Sequence, residues 1–367
     1  MTTPHRVTIG IDLGGTSIRV GLFDASMMLL ESHTMATRIA AGPQSVVDEM
    51  AATVRMLLER GAACGRIYDP VGAGIGSPGP INLRTGVLGV LPNFRGWDYF
   101  PLRDALAKAL DLPVILESDA NAAGIAEWKH GAGKSTGHVS MIMITLGTGV
   151  GSGIILDGKV WHGMFGMGGE VGHSTVDPDG PLCGCGSHGC LEVFASANGL
   201  LRLARAIAES DDATPALREL AAKPGLTALQ VSSLADTGDS AAKLAFERLG
   251  RYLGMGVANV INTLDLPIVV IGGGVASAWP HFSDSMFRAV HEYSVVYRLV
   301  GPTQYETLEE NCTYICPATL GPAAGLLGAA LLPHLGSPAI DFQSATTREY
   351  GRLPDEKIDG AVVYPGA

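Results

Sequence analysis

Aromatic residues supply only 6% of this 367-residue chain and are too scattered to form base-stacking platforms. No run of lysine or arginine appears and the formal net charge is −11, so the electrostatic footprint of a nucleic-acid reader is absent. Long uninterrupted apolar runs are missing too. The most apolar stretch, residues 139–156, is broken by Gly147, Gly149, Gly151 and Gly153. It is too short for a comfortable bilayer span and reads as buried strands, so no membrane association is expected. Charged residues are sparse, at 17% against 47% hydrophobic, a balance that suits two globular domains with real cores and excludes a disordered chain. No secretory segment is recognisable, and a reducing, cytoplasmic location is expected for the six cysteines.

Against that plain background one segment stands out. From His173 to Glu192 the chain reads HSTVDPDGPLCGCGSHGCLE, too glycine-rich for a helix or strand. Cys183, Cys185 and Cys190 with His173 supply three sulfurs and one nitrogen, the donor set of a closed tetrahedral zinc site. A disulfide is the competing reading, but Cys183 and Cys185 are too close in sequence for an unstrained bridge. His188 is an alternative fourth ligand, weighted behind His173 because it sits inside the knuckle between Cys185 and Cys190. Cys312 and Cys316 are expected in the core.

Along the chain, strand and helix alternate, which gives an α/β class. Residues 7–13 and 17–24 read as a hairpin with DLGGTS at its tip, and residues 139–160 repeat that grammar around GTGVGSG. A helix is expected from Ser45 with Gly61 as its C-cap, and others from Pro101, from Asp119 and over 240–263. From Ser196 the chain reads as mainly helical, with a polar interruption at 211–223. Residues 333–367 lack periodicity and read as an irregular tail.

Polyphosphate requires closely approaching backbone N–H groups, with a carboxylate to orient its magnesium. Asp12, Gly14, Gly15 and Thr16 supply those parts, as do Gly147, Thr148 and Gly149. Each turn alone is equally an ordinary hairpin tip. The spacing of Gly149, Gly151 and Gly153 does not fit a dinucleotide fingerprint. Gly273 and Gly274, after the strand PIVVI, could lie against a flat ring such as adenine. Two such hairpins and a third glycine turn predict a duplicated fold clamping one nucleotide. Asp119, after the strand VILES, suits a general base for phosphoryl transfer to a hydroxyl, or equally a helix N-cap. An ordinary aspartate pKa of about 3.9 would keep it ionised until the solution is acid.

In order and spacing, DLGGTS, ESDANAA, TLGTGVGSG, GGEVGH, CGCGSHGCLE and IGGGV resemble the ROK family of repressors and sugar kinases, and within it the glucokinase-like members. The resemblance covers about residues 7–332. It implies the two-lobed actin-like or ribonuclease H-like ATPase fold with a cleft between the lobes. Residues 1–118 would form a small lobe, completed by a helix at 321–332, and residues 119–320 a large lobe with a zinc loop at 173–190. Hinges are expected near Ser118 and near 317–321. The resemblance also implies ATP with Mg²⁺, structural Zn²⁺ and a hexose as ligands, in a homodimer or homotetramer. It makes Asp119 the catalytic base and carries sugar contacts onto Glu170, His173 and Glu192, and less tightly onto Gly79 and Asn93.

One departure bears on substrate choice: Ser118 stands where relatives have asparagine, removing an amide's paired donor and acceptor. Glucose is therefore the first expectation, with N-acetylmannosamine, N-acetylglucosamine, mannose or fructose as alternatives. A sugar-sensing repressor is the weaker reading, because only about six residues precede the first strand and a helix-turn-helix has no room there. A zinc-stapled sugar-binding protein without catalysis is weaker again, given Asp12, Asp119 and the nucleotide turns.

Overall fold

The computed structural model describes residues 4–91, 93–302 and 312–336, so most of the predicted tail, residues 337–367, lies outside the described residues. Two five-stranded mixed sheets organise the chain. The first contains β1 (His5–Leu13), β2 (Ser17–Phe23), β3 (Leu29–Ala36), β4 (Tyr68–Ser77) and, after the two-residue strands β5 (Ile81–Asn82) and β6 (Val87–Leu88), β7 (Val114–Ser118). The second contains β8 (Met141–Leu146), β9 (Val150–Leu156), β10 (Lys159–Val160), β11 (Ile268–Gly272) and β12 (Tyr314–Pro317).

Their strand orders, β3-β2-β1-β4-β7 and β10-β9-β8-β11-β12, are the same topology twice. In each, two antiparallel hairpin pairings are followed by two parallel ones. The repeated hairpin seen in the sequence is thus a repeated sheet. β1 and β11 are buried almost end to end, as strands covered on both faces must be.

Helices α1 (Pro43–Ala63) and α2 (Leu102–Leu110) cover the outer face of the first sheet. α1 starts earlier than expected, with Pro43 in its first turn, and runs past Gly61. Gly61 is therefore not the cap: it lies inside the helix because a β-carbon there would collide with the Tyr68 ring. Helices α3 (Asp119–His130) and α4 (Ala132–Thr136) follow β7. One apolar cluster gathers α5 (Glu192–Ala195), α6 (Ala197–Ala208), α7 (Pro215–Ala221), α8 (Ala228–Asp236), α9 (Ser240–Leu264), α10 (Trp279–Tyr293) and α11 (Val295–Val300) with strands of the second sheet. α7 falls inside the expected polar interruption. Thr214 caps it by accepting from the Leu217 N–H at 3.1 Å, and Pro215 presets its first turn, so capping outweighs weak periodicity.

Between the two sheets lie α3 and the last helix, α12 (Ala324–Leu335), which carries the C-terminal chain back onto β1 and β4. A central apolar cluster joins Ala123, Ile125 and Ala126 of α3 to Leu326, Leu327 and Leu331 of α12 and to Met141, Met143 and Val270 beneath them. Close approach here depends on glycine: a β-carbon on Gly328 would run into the Ala122 carbonyl. Gly328→Ala should lower stability by about 1–3 kcal/mol through overpacking. An unchanged denaturant midpoint would show that α3 and α12 are not held this tightly.

Candidate active site

A cleft of about 790 Å³ opens between the sheets, large enough for a small polar ligand together with part of a second one. Asp119 lies at its floor, in the first turn of α3, where β7 of the first sheet hands over to the helix. Ser118, not Asp119, occupies the N-cap position, with extended backbone and no side-chain capping bond. Asp119 Oδ1 accepts a single N–H, from Ala120 at 2.7 Å, so the capping explanation for this residue does not hold.

Burial, then the nearby charges of Asp12 and Glu170, push the Asp119 carboxyl up to about 6; the Ala120 hydrogen bond opposes them. The ordinary value assumed from sequence is thus corrected, chiefly because the folded chain buries the carboxyl and secondarily because Asp12 and Glu170 lie near it. Glu170 itself is exposed at the rim. Lost hydration is the main cause that raises its pKa, with His173 opposing and Glu192 adding to the rise.

Two glycine turns face each other across this floor, Gly14–Thr16 from the first sheet and Gly147–Gly149 from the second. A β-carbon on Gly15 or Gly147 would meet nothing nearer than 4.0 Å, so the backbone is open at these two positions, whereas at Gly149 it would run into the Glu192 carboxylate. The second turn is pinned from both sides: Ala197 N–H donates to the Gly147 carbonyl at 2.8 Å, and Val150 N–H to Glu192 Oε2 at 3.0 Å. Glu192 thereby ties the turn to the cysteine loop. Gly79, Asn93, Ser118, Glu170, His173 and Glu192 also line the cleft, Asn93 on a loop anchored by the buried rings of Phe94 and Trp97.

Three residues singled out by sequence do not line it. Asp12 is paired with Arg19, its cross-strand neighbour, and packs against Gly325. Gly273 has φ +87 and lies against the Leu146 backbone, so its freedom serves a tight turn; Gly274 faces open space. The sequence reading in turn missed Glu117 and Asn121, both buried and both cleft-lining. A carboxylate closing the otherwise apolar strand VILES was the available signal.

In the cysteine loop, one ligand atom from each of His173, Cys183, Cys185 and Cys190 lies within 4.8 Å of every other. Cys185 Sγ and Cys190 Sγ are 3.6 Å apart, and Cys183 Sγ is 3.7 Å from His173 Nδ1. A tetrahedron with Zn–S of about 2.3 Å has edges near 3.8 Å, so these donors sit where the ion's ligands belong. Burial and the neighbouring thiols push Cys190 up to about 12, a demand for a cation if the cluster is to be thiolate. His188 turns away, with Nδ1 3.2 Å from the Gly180 carbonyl, which decides the fourth ligand for His173. Stacking of Phe194 on Tyr252, whose hydroxyl reaches Asp177 at 3.3 Å, fastens the loop to α9.

Residues 8–335 match the ROK family. This chain belongs to that family. It is 35% identical to a glucokinase of Streptomyces coelicolor over 91% of its own length and 99% of the relative's. Identity to an N-acetylmannosamine kinase of Escherichia coli O6:K15:H31 is also 35%, over 74% of this chain and 84% of the other. Among solved structures, the Streptomyces griseus ROK glucokinase in complex with glucose and AMPPNP superposes with a TM-score of 0.73 at 34% identity, covering 90% of this chain and 100% of that one. Among the described residues, this ROK protein has no helix long and apolar enough to cross a membrane.

Proposed function

We propose that the protein is an ATP-dependent hexose kinase that transfers the γ-phosphoryl group to the 6-hydroxyl of glucose. One observation carries the reading: Asp119, at a strand-to-helix junction, shares a single cleft with the glycine turns Gly14–Thr16 and Gly147–Gly149 and with Glu170, His173 and Glu192. Phosphoryl transfer needs positioning and one proton acceptor more than covalent chemistry. Asp119 would take the hydroxyl proton, and a pKa of about 6 makes it a stronger base than an ordinary aspartate while leaving it ionised at neutral pH. Backbone N–H groups of Gly15, Thr16, Thr148 and Gly149 would hold the phosphates, since those of Gly14 and Gly147 already donate to the Ser17 and Gly149 carbonyls, and Asp12 beside the first turn would orient the accompanying Mg²⁺. Zn²⁺ held by His173, Cys183, Cys185 and Cys190 would supply a structural clamp. With His173 Nδ1 toward the cluster, its Nε2–H is left to donate to a sugar oxygen.

We also assign residues 1–118 and 119–320 to separate lobes hinged at Ser118 and at 317–321. The chain passes from one sheet toward the other at these two points. A second substrate reading has its own support: the N-acetylmannosamine kinase relative matches the glucokinase relative in identity, at 35% each, though over 74% rather than 91% of this chain. Steady-state kinetics over a panel of hexoses with ATP tests both. Glucose is expected to give the highest kcat/KM. Preference for N-acetylmannosamine would select the second reading, and turnover of no hexose would overturn both.

A further inference from the structure

Glu117 is the penultimate residue of β7, immediately before Ser118 and Asp119, and it is only 2% exposed. An isolated buried carboxylate is costly unless donors converge on it. Three do. Oε1 accepts from the Ser118 N–H at 2.8 Å and from Asn121 Nδ2 at 2.9 Å, both at the start of α3. Oε2 lies 2.7 Å from His162 Nε2. A carboxylate only accepts, so that ring nitrogen carries the hydrogen.

His162 comes from the other sheet. It follows β10 and opens a loop that closes on itself where Gly168 N–H donates to the His162 carbonyl at 2.7 Å. The loop tip, Met164 and Phe165, is exposed, while the loop's far end runs through Gly169 directly into Glu170 and His173. Gly169 is in turn held to β9 through its carbonyl by Ser152 Oγ. The Glu117–His162 contact therefore joins the strand that delivers Asp119 to the loop that delivers the Glu170–His173 wall, across the division between the sheets.

We infer that Glu117 and His162 are positioning residues, a strap that sets the distance between Asp119 and the sugar wall. The inference rests on the hexose kinase reading for its kinetic consequence but not for its existence. His162 touches neither the glycine cradles nor the base, so losing the strap should disturb the hexose and leave the nucleotide site alone. Misplacement of a reacting group by about 1 Å costs up to about 10²-fold in rate.

His162→Phe keeps a planar aromatic ring, somewhat larger, and removes the donor; His162→Gln restores an amide donor. Two measurements on the full-length, zinc-loaded protein test the strap. In hydrogen exchange, His162→Phe should speed exchange at least ten-fold in peptides covering both 117–121 and 161–170, leaving α9 unchanged. In kinetics, it should lower kcat/KM for the hexose about 10- to 100-fold with KM for ATP within two-fold of wild type, and His162→Gln should recover most of the loss. Unchanged exchange in either peptide overturns the strap, as does equal damage to hexose and ATP kinetics or failure of the glutamine variant to recover. If the wild type phosphorylated no hexose, the kinase reading would fall while the exchange result still decided the strap.

Discussion

Asp119→Asn is expected to lower hexose phosphorylation by about 10²–10⁴-fold, the range that a positioned general base contributes. Asparagine fills the same space and can keep the Ala120 N–H bond, so hexose affinity measured by calorimetry should stay within a few-fold of wild type. Retention of more than a tenth of wild-type turnover would remove Asp119 from the base role. The wild-type pH profile should carry the matching signature. The ionised form is the active one, so kcat/KM should fall as pH drops through about 6 and be level above it, and the residual activity of Asp119→Asn should lack that limb. Stability runs the other way. A carboxyl whose folded pKa lies above its unfolded value binds more protons in the native state. Its ionisation therefore costs stability as pH rises from about 4 to about 6, the interval between the ordinary and the raised value. The asparagine variant should accordingly be more resistant to denaturant than wild type at neutral pH, as expected where function places a charge in an unfavourable site.

Removing the metal should have the second large effect. Elemental analysis of the purified protein is expected to find about one zinc per chain, and Cys190→Ser or a strong chelator should abolish it. Cys190 is fully buried and Cys183 nearly so, hence an emptied knuckle takes up protons and is left with neutral thiols that no longer cross-link the loop. Hexose KM should rise at least ten-fold and the melting temperature should fall, because His173 and Glu192 border both the knuckle and the cleft and Glu192 also anchors the Gly147–Gly149 turn through Val150. His188→Ala is the matched control: its ring faces the Gly180 carbonyl, and zinc content should not change. Protein that contains no stoichiometric zinc, or that phosphorylates hexose normally after the ion is stripped, would end the structural-zinc reading.

Local chemistry was legible in the chain before any fold was known. Cys183, Cys185 and Cys190 fall within one short knuckle, so their spacing alone restricts how they can be arranged, and the cluster closes as expected. The two glycine hairpins were legible for the same reason, since a turn is decided by the few residues that make it. Repetition of that hairpin announced the repeated sheet topology. Boundaries set by packing were read less well. Gly61 looked like a helix stop and is instead a point of contact with Tyr68, and α7 was missed because its two-residue start signal was outweighed by a polar run.

Residue order alone supplies an inventory: a zinc-type donor set, two phosphate-type turns, and an aspartate at a strand-to-helix junction. How those parts act on one another depends on the folded arrangement. Asp119 has a raised pKa because the fold buries it, and to a lesser degree because Asp12 from β1 and Glu170 from the loop after β10 come near it. Asp12 is engaged by Arg19, and Glu117 reaches 45 residues along the chain to His162. Electrostatic energy and burial depend on distance in space and on excluded water, and neither can be read from spacing along the chain.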